Sequence, residues 1–237
     1  MQQKSSDIAK KKAINKLARN NTRFNFDYEI DKLKDKLLDV DLSHKSFNRI
    51  VKSIDLLQSA NQISKSLNIG DQAPDFQLKN TIGKNIKLSD EIKKGKVILK
   101  FFRGGWCPYS YLGLRSLEKI ANIITKDGSQ IFAICPEDQA NCIKTKERNH
   151  LNFDILSDKA NIVSEDYKLI NKNSNIEDSV LDINLESAID NGDISYHLPL
   201  PGVFIIDEWM TIRFAFHEAD YKTQLDTNLL LDCLRHI

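Results

Sequence analysis

Apolar residues recur along this chain with two different periods, and the change divides it near residue 69. Before that point they recur every three or four residues, as in amphipathic helices. These positions are Ile8, Ile14, Leu17, Ile30, Leu33, Leu37, Phe47, Ile50, Val51, Ile54 and Leu57. Residues 1–68 contain no proline and no glycine. We therefore predict an N-terminal extension of two or three helices, which either packs on the following domain or forms the contact of a homodimer.

Short apolar runs alternate with helical patterns over residues 69–237. The pattern predicts strands at 75–78, 85–88, 96–102, 130–134, 153–156, 202–206 and 211–216. It predicts helices at 90–94 (capped by Ser89), 108–126, 138–150, 161–169 and 223–235, and a polar insertion at 170–198. This order predicts an α/β fold in which helices flank both faces of a mixed sheet. It resembles a thioredoxin-like domain.

The composition is that of a globular protein, with 41% hydrophobic and 28% charged residues among 237. A net charge of +1 gives no electrostatic reason to expect a nucleic acid or an acidic membrane as partner. No apolar run has membrane-spanning length, and the basic N-terminus lacks the apolar segment of a signal peptide. We therefore expect a cytoplasmic protein without a membrane partner.

Four cysteines are too few and too widely spaced for a disulfide scaffold; they are Cys107, Cys135, Cys142 and Cys233. The five histidines are scattered, and no second Cys or His stands at metal-ligand spacing from Cys107. Nucleotide-binding and serine-hydrolase motifs do not occur. We therefore expect neither a metal nor a cofactor, and each cysteine is either a small buried side chain or a reactive thiol.

The stretch FFRGGWCPYS, residues 101–110, places a cysteine where a predicted strand passes into a predicted helix. Pro108 suits the first helical position, because its missing N–H would have no intrahelical partner there. Cys107 is then the N-cap residue, where the positive end of the helix dipole favours a thiolate. Arg103 adds a guanidinium four residues earlier. A buried structural cysteine is the alternative, but ligands collect at the carboxyl ends of strands, so we predict a reactive thiol.

Several segments resemble the peroxiredoxin superfamily of alkyl hydroperoxide reductase/thiol-specific antioxidant proteins. In chain order they are GDQAPDFQL, GKNIKLSD, KVILKFFRGGWCPYS, AICPED, LNFDILSDKANIVSEDYKL, HLPLPGVFIID and TIRFAFHEADY. The third is similar to a bacterial branch with an RGGWCPYC active site and an N-terminal helical extension. The resemblance implies a thioredoxin fold over residues 69–237 and reduction of hydrogen peroxide or organic hydroperoxides by Cys107. It also implies thioredoxin or a glutathione-type thiol as reductant, and Pro201 as the cis-proline that faces the active cysteine.

Three positions depart from the family pattern. Gly104 stands where typical members have a threonine or serine, and Pro201 stands about where they have an arginine. Both usual partners of the thiolate are thus replaced, and Arg103 is our candidate for an electrostatic substitute. Ser110 stands where the related branch has its second cysteine. A serine hydroxyl can hydrogen-bond the thiolate but cannot form a disulfide.

An oxidised Cys107 therefore needs another thiol. Cys135, at the end of the neighbouring strand, is the best-placed internal candidate, although its apolar neighbours predict a buried and inert side chain. Cys142 is expected to be exposed on a polar helix, and Cys233 to lie in the core. We predict a mechanism with one cysteine and an external reductant.

Two other functions are consistent with these residues. Cys-Pro-Tyr-Ser also resembles a glutaredoxin site without its second cysteine, which would make the chain a monothiol thiol–disulfide oxidoreductase. Loss of the usual thiolate partners would fit a non-catalytic redox sensor or interaction module that uses the N-terminal helices.

Overall fold

Seven strands form one mixed sheet in the structure, a computed structural model that describes residues 66–170, 198–218 and 223–237. They are β1 (Gln77–Asn80), β2 (Asn85–Lys87), β3 (Val97–Phe101), β4 (Gln130–Cys135), β5 (Asp154–Ser157), β6 (Gly202–Ile206) and β7 (Ile212–His217). The order across the sheet is β2-β1-β5-β4-β3-β6-β7. Strands β3, β4 and β5 are parallel, and the other neighbours are antiparallel. The predicted mixed sheet is confirmed.

Five α-helices lie in the described residues. They are α1 (Leu88–Glu91), α2 (Pro108–Lys126), α3 (Gln139–Asn149), α4 (Ile162–Asp166) and α5 (Thr227–Arg235), and a 3-10 turn (Ile92–Lys94) follows α1. The start and end of α2 agree with the prediction. Helix α5 begins four residues later than predicted, because the Asp226 carboxylate caps it by accepting the Asn228 N–H.

The predicted cap of the first helix is wrong. Ser89 lies inside α1, and its backbone N–H donates to Asp75 Oδ1 at 2.9 Å. A carboxylate from a distant part of the chain therefore satisfies a backbone donor at the start of this helix. The helix predicted over 161–169 is shorter than expected. Lys168 has a left-handed backbone with a φ of 56°, which is incompatible with continued α-helix.

Both faces of the sheet carry apolar cores, because side chains along a buried strand alternate between them. Ile98 and Phe102 face α2 and α5 together with Leu114 and Leu230. The opposite core contains Val97, Leu99, Phe101, Phe204 and Tyr167. Helices thus cover both faces, as predicted. Strand β3 is thus buried inside the sheet, and its carboxyl end leads directly into the segment that carries Cys107.

The predicted N-terminal helices and most of the predicted insertion lie outside the described residues. Residues 66 to 76 are described, and they lie against the domain through Gly70 N–H to Ile212 O at 2.8 Å and Ala73 N–H to Met210 O at 2.7 Å. The division at residue 69 into an extension and a domain stays a prediction.

Candidate active site

Cys107 occupies the N-cap of α2 with an extended backbone, and Pro108 follows as the first helical residue. Its N–H donates to Gly104 O at 3.3 Å, and its own carbonyl accepts the Tyr111 N–H at 3.0 Å. The side chain is buried, with 1% exposure. The strand-to-helix switch that the sequence predicts is therefore present, and it places the sulfur at the positive end of a 19-residue helix.

The turn before Cys107 is held against α3. Gly105 donates its N–H to Glu137 Oε2 at 2.9 Å, and its carbonyl accepts from the Arg148 guanidinium. A Cβ added to Gly105 would lie 1.8 Å from Thr145 Oγ1. Gly104 has a φ of 152°, in the region that favours glycine. Gly105 therefore allows the turn to pack directly on Thr145, and Gly104 allows the backbone conformation that the turn requires.

Gly105→Ala is expected to lower the free energy of unfolding by about 1–3 kcal/mol, the usual cost of overpacking a buried site. The peroxide reduction that the resemblance implies for Cys107 should also slow by roughly tenfold, because the displaced backbone lies two residues before that cysteine. Peroxide consumption and urea unfolding measure the two effects. Thr145→Ala added to the same chain removes the Oγ1 that the new methyl group would meet, so the double variant should recover part of both losses. An unchanged rate in Gly105→Ala would show that this contact does not position Cys107.

Lys100 is an unpredicted member of the site. Its side chain is only 4% exposed and alternates with Ile98 and Phe102 on the face that α2 covers. Its Cε lies 3.6 Å from the position a Cβ on Gly113 would take, which places the end of the side chain against α2. Burial lowers the pKa of Lys100 to about 8, and the negative charge of Cys107 opposes that shift. The fold thus places the Lys100 ammonium within electrostatic range of Cys107.

This ammonium has no carboxylate within ion-pair distance among the residues that the structure describes. A buried charge without a neutralising partner is costly, so its most favourable interaction at this site is with a negative sulfur. The pattern that could have revealed Lys100 is in the sequence. A lysine in the middle of KVILKFF must share a face with its second neighbours on either side.

The other predicted site residues lie nearby. Arg103 is buried just after β3, and Ser110 is buried on the first turn of α2, three residues after Cys107. The roles assigned to Arg103 and Ser110 stay predictions.

Pro201 directly precedes β6, whose Gly202 pairs with Phe101 at the end of β3. It therefore lies at the same sheet edge as the segment leading to Cys107. No peptide bond in the described residues is cis, so the bond before Pro201 is trans. Two backbone hydrogen bonds hold the chain as it enters β6: Leu200 N–H donates to Leu169 O at 2.9 Å, and Pro201 O accepts the Glu218 N–H at 3.4 Å. The role assigned to Pro201 stays a prediction.

The remaining cysteines differ from expectation at one position. Cys135 is buried at the end of β4, as predicted. Cys142 was predicted to be exposed, but it is 1% exposed and belongs to the core on the α2 side of the sheet. The overall polarity of α3 conceals that this residue lies on its inner face. Cys233 is half-buried against the same core.

No group of three or more His, Cys, Asp or Glu side chains suited to a metal ion occurs in the part of the chain that the structure describes. Within residues 66–170, 198–218 and 223–237, no helix is long and apolar enough to cross a bilayer.

Comparison with known families identifies the domain that carries this site. The AhpC/TSA family model matches residues 69–215, which is more than half of the chain. This chain belongs to the AhpC/TSA family. The superfamily resemblance predicted from the motifs is therefore confirmed, whereas its assignment to the RGGWCPYC branch stays a prediction.

Relatives of this AhpC/TSA chain agree with that result. A protein provisionally named peroxiredoxin bcp, from Buchnera aphidicola subsp. Schizaphis graminum, is 33% identical over 102 residues. The match covers 43% of this chain and 64% of that relative, slightly less than two thirds of its length. Peroxidoxin BcpB from Mycobacterium tuberculosis superposes with a TM-score of 0.56 at 18% identity, covering 72% of this chain and 98% of that one. A yeast mitochondrial 1-Cys peroxiredoxin superposes with a TM-score of 0.53 at 19% identity, covering 72% of this chain and 77% of that one. These superpositions establish the predicted thioredoxin-like fold.

Proposed function

We propose that this AhpC/TSA chain is a thiol-dependent peroxidase that reduces hydrogen peroxide or organic hydroperoxides. The observation that carries the proposal is the position of Cys107 at the N-cap of α2. The buried Lys100 lies within electrostatic range of the same residue. Two independent sources of positive potential thus act on one sulfur. Both stabilise a thiolate, the form of cysteine that attacks a peroxide.

In the proposed reaction, the Cys107 thiolate attacks the terminal oxygen of the peroxide. A sulfur–oxygen bond forms, the oxygen–oxygen bond breaks, and the leaving oxygen departs as hydroxide or alkoxide and takes up a proton. Cys107 becomes a sulfenic acid, oxidised by two electrons, while the peroxide becomes water or an alcohol. Positive charge from the helix start and from Lys100 favours the thiolate before the attack and the departing oxyanion during it.

Two further thiols must return the sulfenic acid to the Cys107 thiol, and an external reductant can supply both. The yeast mitochondrial 1-Cys peroxiredoxin is described with a thiol resolving mechanism via glutathione/thioredoxin systems. That likeness supports thioredoxin or a glutathione-type thiol as the final electron donor here. The need for such a donor favours the reducing cytoplasm, and the predicted homodimer remains part of the proposal.

The test is a single-turnover reaction of the fully reduced protein with one equivalent of hydrogen peroxide, followed by multiple turnovers with a thioredoxin or glutathione system. We expect loss of the peroxide in the first turnover, with a two-electron oxidation of the protein's thiols that requires Cys107, and continued loss of peroxide once the reductant is present. Turnover on a glutathionylated peptide with no consumption of peroxide would overturn the proposal in favour of a monothiol oxidoreductase. No reaction with either substrate would favour the non-catalytic sensor.

A further inference from the structure

Two buried cysteines are in contact with each other, and the proposed reaction uses neither. Cys135 is the last residue of β4, and Cys142 lies in the first half of α3. Their sulfur atoms are 3.7 Å apart, and neither side chain is more than 1% exposed. The two sulfur atoms are therefore in contact, and a disulfide requires them to approach to about 2.0 Å.

A buried carboxylate connects this pair to the turn before Cys107. Glu137 Oε2 lies 3.8 Å from Cys135 Sγ and accepts the Gly105 N–H at 2.9 Å. The Glu137 side chain is 5% exposed. The same oxygen therefore contacts the thiol of Cys135 and a backbone group two residues before the active cysteine.

The elements that carry the two cysteines also lie next to the turn that leads to Cys107. Phe102 N–H donates to Ile134 O at 3.0 Å, so the residues leading to Cys107 leave the sheet beside Cys135. On α3, Thr145 lies one turn after Cys142 and packs directly on Gly105. Both cysteines thus belong to elements that border the active-site turn.

We propose that Cys135 and Cys142 form a second redox site, a buried dithiol that reduces the sulfenic acid of Cys107 and is itself left as a disulfide. The inference rests on the peroxidase function proposed above and deepens it, because it assigns the two electrons of each turnover to named residues of the same chain.

In the first step the Cys135 sulfur attacks the Cys107 sulfur. The sulfur–oxygen bond of the sulfenic acid breaks, Glu137 takes the thiol proton of Cys135, and that proton joins the departing hydroxide to form water. In the second step the Cys142 sulfur attacks Cys135, the Cys107–Cys135 bond breaks, and Cys107 leaves as a thiolate while the Cys142 proton goes to solvent. Two thiols are oxidised to one disulfide, and the sulfenic acid is reduced. An external dithiol then reopens the disulfide by exchange.

Electrostatics at the pair explain why Cys107 is oxidised first. Burial, and then the neighbouring Cys142, raise the pKa of the Cys135 thiol well above its ordinary value. A protonated thiol is a poor nucleophile, so Cys135 does not compete with Cys107 for peroxide. Burial also raises the pKa of Glu137, against the opposing effects of the Gly105 N–H and the Arg148 charge. A carboxylate with a raised pKa is a stronger base and suits the transfer of the Cys135 proton.

The experiment is mass spectrometry of the full chain after one equivalent of hydrogen peroxide, alkylation of free thiols at acidic pH, and trypsin digestion. Cys135 and Cys142 share one tryptic peptide, residues 127–144, and Cys107 lies on another, residues 104–115. We expect peptide 127–144 to be lighter by two hydrogens and to carry no alkyl group, while Cys107 is alkylated.

Three variants test the order of the steps. Cys142→Ser should stop after the first step and accumulate a Cys107–Cys135 disulfide that links the two peptides. Cys135→Ser should leave Cys107 as a sulfenic acid, which dimedone traps. Cys233→Ser, which removes a cysteine outside the pair, should behave like the wild type.

The same digest separates failure of this inference from failure of the proposed function. If wild-type protein consumes the peroxide and Cys107 is oxidised, but peptide 127–144 carries two alkyl groups, the second redox site is wrong and the peroxidase stands. This comparison needs no variant, so a folding defect cannot confuse it. If the peroxide persists and Cys107 is alkylated without formation of the Cys135–Cys142 disulfide, both proposals fail.

Discussion

Cys107→Ser is expected to slow peroxide consumption by roughly 1,000-fold or more, because no other group in the proposed reaction can attack the oxygen–oxygen bond. A serine hydroxyl is hardly ionised at neutral pH, so the positive potential at the start of α2 has no anion to stabilise there. The measurement is the second-order rate constant for hydrogen peroxide and for an organic hydroperoxide, each with excess reductant.

Two observations make that result specific. Cys233→Ser, at a half-buried cysteine far along the chain, should keep the wild-type rate and control for nonspecific thiol oxidation. Circular dichroism should show the same fold for both variants, because serine also suits an N-cap. If Cys107→Ser consumed peroxide as fast as the wild type, the proposed function would be wrong.

Lys100→Met is expected to have opposite effects on stability and on activity. Burial lowers the pKa of Lys100 from 10.5 to about 8, so at neutral pH the folded state holds a charge that it disfavours. The difference corresponds to about 3 kcal/mol at 1.36 kcal/mol per pKa unit, which the methionine should recover. The thiolate loses its neighbouring positive charge, so we expect peroxide reduction at neutral pH to slow by about tenfold or more.

The pH dependence of stability gives an independent measurement of the same charge. The folded-state pKa of Lys100 is depressed, so between about pH 8 and 10.5 the unfolded chain binds more protons at this site than the folded one. Stability from this group therefore rises as the pH rises through that window, and the cost is fully present below about pH 8. The rise should be missing in Lys100→Met. Urea unfolding at pH 7, 9 and 10.5 measures it.

The activity effect can be distinguished from a general structural one by alkylation of Cys107 with iodoacetamide as a function of pH. Loss of the ammonium should move the onset of alkylation to higher pH, which a change in packing alone would not do. Lys96→Met is the matched control, because Lys96 lies in the same segment but donates to Leu234 O. Unchanged alkylation and unchanged peroxide reduction in Lys100→Met would show that Lys100 has no role at the thiolate.

Local rules account for most of the elements that position the site. Pro108 at the first turn and an apolar stripe of helical period give α2 its observed start and end. The fully apolar run of β6 gives that strand its observed bounds. Prediction failed at Ser89, because the group that binds its N–H is a carboxylate fourteen residues away. It also failed at Cys142, because the average polarity of a helix does not show which single side chain faces inward.

The sequence was sufficient for the fold class and for the position of Cys107 at the start of α2. Both depend on interactions within one strand, one turn and one helix, and those leave a periodic and readable pattern. The sequence did not predict contacts between different secondary-structure elements. These are the Lys100 side chain against α2, the Glu137 carboxylate on the Gly105 N–H, and the contact between Cys135 and Cys142. Those distances follow from how the sheet and helices pack, and packing joins residues that no spacing along the chain relates. The missing thiolate partners and the missing second cysteine at Ser110 therefore left a question that only the packed structure could address. Our proposed answers are Lys100 near the carboxyl end of β3 and the buried pair Cys135 and Cys142.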